Sequence, residues 1–432
     1  MKTYALVGTG GRSGLYIEAI TGKYRHNAKF VAFCDTNQTR MDYANQQLVQ
    51  NDIAPVPTWK AADFGDMLTE TKPDIVIVTS MDRTHDDYIV RALHAGCDVI
   101  TEKPMTIDEN RALRILDAVD ATGYQVRVAF NYRYAPHHSK IRELLMQDTI
   151  GDVLSVHFEW LLNTEHGADY FRRWHRDKRN SGGLLVHKST HHFDLMNFWL
   201  NSTPEKVYAQ GDLRFYGKEN AEKRGVTEFY PRAHGYPQAQ NDPFALHMED
   251  NAQLKALYLD AEHEDHYFRD QSVFSDGINI EDTLSVLVKY QNKVQLTYAL
   301  NAYLPWEGLN VVFNGTQGRI EMKIVEMSYV NAGGKRENEG SIEKAEITVY
   351  PLFAEPWKAQ FQLGEGGHGG GDNAMLEDLF GERREDPLKR AADHRAGAMS
   401  ILTGIAGNLS MQYDKPIYFK DFELVKRLRE RK

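Results

Sequence analysis

Gly8-Thr9-Gly10-Gly11-Arg12-Ser13-Gly14 follows a short apolar run, Tyr4-Ala5-Leu6-Val7, and opens a helical stretch. Glycine at position 8 permits a tight turn, and glycine at position 10 lets the backbone approach a pyrophosphate at the positive end of the helix. Gly11 and Arg12 complete the loop. Ser13 stands where such fingerprints carry a third glycine, and it is small enough for close packing. Asp35 follows roughly 20 residues later, at the end of a second apolar run. A carboxylate there accepts hydrogen bonds from both ribose hydroxyls and repels a 2′-phosphate, which favours NAD over NADP.

A second set of residues has the chemistry of proton transfer. Lys103 lies in Thr101-Glu102-Lys103-Pro104, directly after a predicted strand. His187, Lys188 and His191 lie in the segment from Ser181-Gly182-Gly183 to Asp194. Oxidising a secondary alcohol requires a proton to leave oxygen while hydride leaves carbon. A histidine titrating near neutrality is suited to accept that proton, and a lysine at hydrogen-bond range stabilises the developing alkoxide. Two histidines at this spacing on a helix also suit a divalent metal, but no third ligand is evident, and no metal is expected.

The elements that must position these groups can be read from periodicity. Strands are predicted at Tyr4 to Val7, Phe30 to Asp35, Asp74 to Val78, Cys97 to Ile100 and Gln125 to Phe130, with helices between them. Strands alternating with crossover helices imply a Rossmann-type doubly wound parallel sheet. Beyond Val153 the pattern becomes partial alternation: Val153 to Leu162, Lys206 to Phe215, Leu284 to Tyr290, Lys293 to Tyr303, Leu309 to Asn314, Arg319 to Ile324 and Ala345 to Tyr350. This predicts a large, mostly antiparallel open sheet in an α+β domain, covered by helices from His192 to Leu200 and Asp393 to Gln412. The expected division is residues 1–130 and 131–432, with a polar insertion at about 217–277. The glycine-rich stretch Gly364 to Gly371 is expected to be a mobile loop or a substrate loop offering His368 and Asp372.

Composition bounds the rest. The chain has 432 residues, 42% hydrophobic and 26% charged, with a formal net charge of −10. That balance is ordinary for a globular protein and speaks against nucleic acid as a partner. No apolar run reaches the ~20 residues of a membrane helix. The two cysteines, Cys34 and Cys97, read as buried thiols in a reducing compartment. With a strand at the N-terminus and no leader ahead of it, a cytoplasmic location is expected.

Taken together, the glycine loop, Asp82-Arg83-Thr84-His85, Ala92-Leu93-His94-Ala95-Gly96, the Glu-Lys-Pro motif and Gly182-Gly183 through Asp194 resemble the Gfo/Idh/MocA family of sugar dehydrogenases. The resemblance covers the first domain and the second to about Leu200. It implies that Lys103 orients the reacting hydroxyl and that His191 is the general acid/base, with Asp194 near the substrate. Where the family has an aspartate four residues before this histidine, the chain has His187, followed by Lys188. The resemblance also implies cofactor contacts from Ser80, His85, Glu102, Asn131 and Trp174, and substrate contacts from Tyr132, Arg133, His175 and His368. Arg173, Arg176, Lys178 and Arg179 form either a solvated basic loop or a cationic rim for an acidic sugar such as a uronate. A homodimer or homotetramer is implied in the same way.

Three activities follow as expectations: a dehydrogenase of sugars or cyclic polyols, a redox-neutral glycoside hydrolase that uses NAD transiently, and a nucleotide-sensing regulator. Lys103 and His191 together argue against the last.

Overall fold

The computed structural model describes residues 1–327, 342–364, 367–382 and 384–430. Its first sheet has six parallel strands: β1 (Lys2–Val7), β2 (Ala28–Asp35), β3 (Thr58–Lys60), β4 (Ile75–Val78), β5 (Asp98–Thr101) and β6 (Val126–Val128). Their order is β3-β2-β1-β4-β5-β6. All of β4 is buried, as an unbroken β-branched run must be when helices cover both faces. Asn37 and Asp108 cap the helices Gln38–Gln50 and Glu109–Thr122 by accepting the backbone N–H of Arg40 and Arg111. β3 was not predicted, because Thr58-Trp59-Lys60 is too short to show a period. The strand order reverses between β1 and β4, where a doubly wound sheet opens its ligand crevice.

The second sheet contains β7 (Val153–Asn163), β8 (Pro204–Asp212), β9 (Thr283–Tyr290), β10 (Gln295–Leu304), β11 (Glu307–Gly315), β12 (Gly318–Met327), β13 (Lys344–Pro351), β14 (Trp357–Lys358) and β15 (Ile417–Tyr418). Their order is β14-β13-β12-β11-β7-β10-β9-β8-β15. Neighbours are antiparallel except β7 and β10, which run parallel. Alternation along β9 turns Leu284, Val286, Val288 and Tyr290 inward toward a core shared with the helices Ser189–Leu200 and His394–Tyr413. Leu287 stays exposed on the outer face beside Tyr208, His157, Thr297 and Asn310.

Two excursions tie this domain to the first. The insertion between β8 and β9 carries short helices Lys218–Lys223 and Glu262–Asp265 and a π-helical turn Lys255–Leu259. Met248, Leu254, Leu257 and Tyr258 of the insertion form a small core that includes Tyr43 from helix Gln38–Gln50. After the second sheet, the helix Gly371–Phe380 returns to the first domain. Its Phe380 ring lies 5.4 Å from that of Tyr4 and 6.4 Å from that of Tyr16, both edge-on. The expected glycine loop is only partly described, since residues 365 and 366 lie outside the described residues. Gly367–Gly370 forms a kinked turn, with left-handed backbone at His368 and Gly369.

Candidate active site

The carboxyl ends of the first sheet's strands and the second domain enclose a cavity of about 910 Å³. Gly8, Gly10, Gly11, Arg12 and Asp35 line one half of it. Gly8 has φ +93°, and a Cβ there would lie 2.5 Å from the Ser80 backbone nitrogen, so no larger residue fits where β1 and β4 run out side by side. A Cβ at Gly10 would meet only the Tyr258 hydroxyl, at 3.7 Å, so this backbone is open to close approach by a ligand. Asp35 is held in place by Thr9, whose N–H and hydroxyl donate to one carboxylate oxygen at 2.6 and 3.0 Å, and by the N–H of Asn37 on the other at 3.0 Å. Ser13 shapes the loop from within, donating its hydroxyl to the Gly10 carbonyl at 2.6 Å. It does not line the cavity, which corrects its expected contact role.

Glu102, Lys103 and Asn131 form the floor between the two halves. Glu102 Oε1 accepts from Arg12 Nε at 2.7 Å and from the Tyr16 hydroxyl at 2.8 Å, so the two expected cofactor residues Arg12 and Glu102 brace each other. His85 lies between the carbonyls of Pro104 and Ser80, at 2.9 and 3.0 Å. Burial holds its imidazole toward the neutral form while the two carbonyls, one at each ring nitrogen, pull toward the charged one, and the ring links the β4 loop to the turn that carries Lys103. Asn131 donates to Asp372 at 2.7 Å, and its amide nitrogen is 3.0 Å from His368, which is itself 2.8 Å from Asp372. Asn131 Oδ1 is buried and makes no hydrogen bond among the described residues. That acceptor, the open glycine backbone and the ribose-type carboxylate are what a nicotinamide dinucleotide needs, and the residues present fit it.

The other half holds the proton-transfer groups. Lys103, His175, His187, Lys188 and His191 all line the cavity. His187 Nδ1 and Asp82 Oδ2 lie 2.5 Å apart, so the carboxylate that the sequence lacks four residues before His191 is instead presented to His187 by the first domain. Burial pushes Asp82 up and His187 down, both toward their uncharged forms. Lys103 is lowered to about 8, first by burial and then by the like charge of Lys188, against the pull of Asp82 and Glu102. His191 stacks on Tyr132 with ring centroids 4.1 Å apart, and its Nδ1 makes no hydrogen bond among the described residues. Trp174 stacks on His175 at 3.6 Å, and His175 packs edge-on against His187 at 4.1 Å.

Three expected substrate residues are not on the cavity wall. Arg133 and Asp194 bind each other through two hydrogen bonds of 2.6 and 2.5 Å, both side chains buried, and Tyr132 backs His191 from behind. The basic rim is likewise dispersed. Arg176 is spent on Ser275, the Asp276 carbonyl and Gln271, Lys178 on Glu281 and the exposed Arg179 on Asp177, while Arg173 alone of the four lines the cavity.

Sequence reasoning left out a further chain of groups on the same wall. Glu307 Oε1 lies 2.6 Å from His166 Nδ1, and His166 Nε2 lies 3.0 Å from the Tyr170 hydroxyl. Both His166 and Tyr170 face the cavity, at the end of a hydrogen-bonded chain that starts from a buried carboxylate. Only the fold joins them, as Glu307 and His166 are 141 residues apart.

Residues 2–130 match a family described as "Oxidoreductase family, NAD-binding Rossmann fold", and residues 142–419 match its C-terminal alpha/beta domain. The chain belongs to the Gfo/Idh/MocA oxidoreductase family. YteT of Bacillus subtilis (strain 168) is 36% identical to it over 439 residues, covering 98% of each chain. An inositol 2-dehydrogenase of Rhizobium meliloti (strain 1021) is 31% identical over 136 residues, 32% of this chain and 39% of that protein. Among solved structures, the WlbA dehydrogenase from Bordetella pertussis in complex with NADH and UDP-GlcNAcA superposes with a TM-score of 0.62 at 17% identity, covering 96% of this chain and 98% of that one. In this Gfo/Idh/MocA oxidoreductase the first domain is thus an NAD-binding Rossmann domain, and the fold of the whole is the family's.

Proposed function

We propose that the enzyme transfers hydride between a secondary hydroxyl of a sugar or cyclic polyol and NAD. The observation that carries this reading is the convergence of Lys103 and the Asp82–His187 pair on the cavity that also holds the glycine loop and Asp35. Bound NAD supplies the hydride acceptor. Lys103 donates a hydrogen bond to the substrate oxygen and stabilises negative charge as it develops. His187, its ring fixed through Nδ1 by Asp82, accepts the hydroxyl proton at its free nitrogen. This assignment favours His187 over His191 as the base, because His187 has a carboxylate to orient it and balance its charge.

Two finer choices belong to the same reading. NAD is preferred to NADP, because Asp35 occupies the ribose position and Arg40 is engaged through Nη1 by Asp265 at 2.5 Å and through Nε by the Leu257 carbonyl. An acidic substrate is favoured by Arg173, which lines the cavity beside its ion-pair partner Asp169, 3.3 Å away. The names of the inositol dehydrogenase relatives agree with a cyclic polyol. Glycoside cleavage through a transient ketone draws no support from the relatives. A second subunit over the outer face around Leu287 would complete a homodimer or homotetramer, which light scattering tests.

The test is incubation with NAD and a panel of polyols, uronates and glycosides, followed by mass spectrometry. A product lighter by two hydrogens, with NADH formed on the protein or in solution, is expected; cleaved glycoside in its place would sink the proposal. Lys103→Met should abolish turnover and leave NAD binding nearly intact.

A further inference from the structure

The insertion between β8 and β9 reaches across the second domain and ends against the nucleotide half of the cavity. Its Tyr258 hydroxyl accepts the backbone N–H of Gly11 at 3.0 Å, in the loop that faces a pyrophosphate. Tyr258 itself lines the cavity beside that loop. The Tyr258 ring is flanked by Arg40 and Arg269, whose guanidinium carbons lie 5.6 and 5.7 Å from its centroid. Asn251, Gln253 and Tyr267 of the insertion line the same cavity.

The insertion is also fastened to the first domain at the site's edge. Glu264 accepts from the N–H groups of Gln38 and Thr39 and from the Thr39 hydroxyl, each at 2.7 Å, and pairs with Lys60 at 2.9 Å. These are donors at the start of helix Gln38–Gln50, directly after Asp35, and they hold the Glu264 carboxylate well below its ordinary range. Asn37 donates to the Ala261 carbonyl at 2.8 Å, and Arg40 is clasped by Asp265 and the Leu257 carbonyl.

We infer that the insertion is part of the dinucleotide site: Tyr258 is a cofactor-contacting residue, and the fastening at Glu264 and Asp265 keeps NAD bound through successive turnovers. A dinucleotide lying along Gly10, Gly11 and Asp35 has the insertion over its adenosine and pyrophosphate side. Its departure requires the insertion to part from residues 37–40 and Lys60. The inference rests on NAD as the cofactor but not on the substrate or on the base.

The test measures retention, not turnover. Full-length protein is gel-filtered, denatured, and assayed for released NAD, and the dissociation rate is followed by loss of bound NADH fluorescence on chasing with excess NAD. Near-stoichiometric NAD in the purified protein is expected. A Glu264→Ala, Asp265→Ala variant should release NADH about tenfold faster or more, and Tyr258→Phe should do so while leaving the fastening in place. Cofactor-free wild-type protein that exchanges NADH as fast as the fastening variant would overturn the inference. So would a Tyr258→Phe and a fastening variant that both match wild type. A retained cofactor in a protein that oxidises no polyol would leave the inference standing and remove only the proposed substrate.

Discussion

Lys103 sits in a field set by its neighbours more than by its own chemistry. With burial and Lys188 lowering it to about 8, its ammonium form is lost well below the pH at which a solvated lysine deprotonates. If that ammonium stabilises the alkoxide, kcat/KM should fall on the alkaline side with a midpoint near 8. Lys188→Met removes a like charge and should move that midpoint upward, which a pH–rate profile of the two proteins checks. Asp82→Asn keeps the shape of the side chain but loses the titratable carboxyl that orients His187 and can balance the proton it accepts. A loss of about 10²- to 10⁴-fold in kcat with NAD affinity unchanged is expected from steady-state kinetics. Lys103, His187 and His191 could be found in the sequence because they lie in motifs of their own. The partnership of His187 with Asp82 could not, because 105 residues separate them and only the closing of the two domains brings them together.

At the scale of elements, the turn after β6 is fixed to the helix Ser189–Leu200 by Arg133 and Asp194. Both ends of this ion pair are buried, so removing one strands a charge without water. Asp194→Ala should cost about 3–5 kcal/mol by denaturant unfolding, and a double variant that makes both positions apolar should recover part of it. The motif that drew attention to Asp194 was thus read correctly as special but wrongly as touching substrate. Seven strands of the second sheet were legible because one buried face imposes alternation, as along β9 and β10. The parallel pairing of β7 with β10 was not, since alternation records which face is buried and nothing about which strand lies alongside.

For the whole molecule, the two domains share more than a boundary. Phe380, from a helix late in the chain, is 3% exposed and lies among Tyr4, Tyr16 and Tyr24 of the first domain. Phe380→Ala should destabilise the protein by about 3–5 kcal/mol, and calorimetry should show the loss in the transition of the nucleotide-binding domain. Neither this return nor the docking of the insertion was legible from sequence. The first depends on one aromatic side chain, and the second on polar groups that look like any solvated surface until their partners are known.

The return of Phe380 also limits how this architecture can be rearranged. A fragment ending near residue 130 carries all six strands of the first sheet but leaves the Tyr4–Tyr16–Tyr24 hollow unfilled. Such a piece should be poorly soluble alone and rescued by a peptide spanning Gly371–Phe380. Grafting the nucleotide half onto the catalytic half of a relative would therefore have to bring this helix along, so the heritable unit for shuffling is the first domain plus a segment encoded far downstream of it.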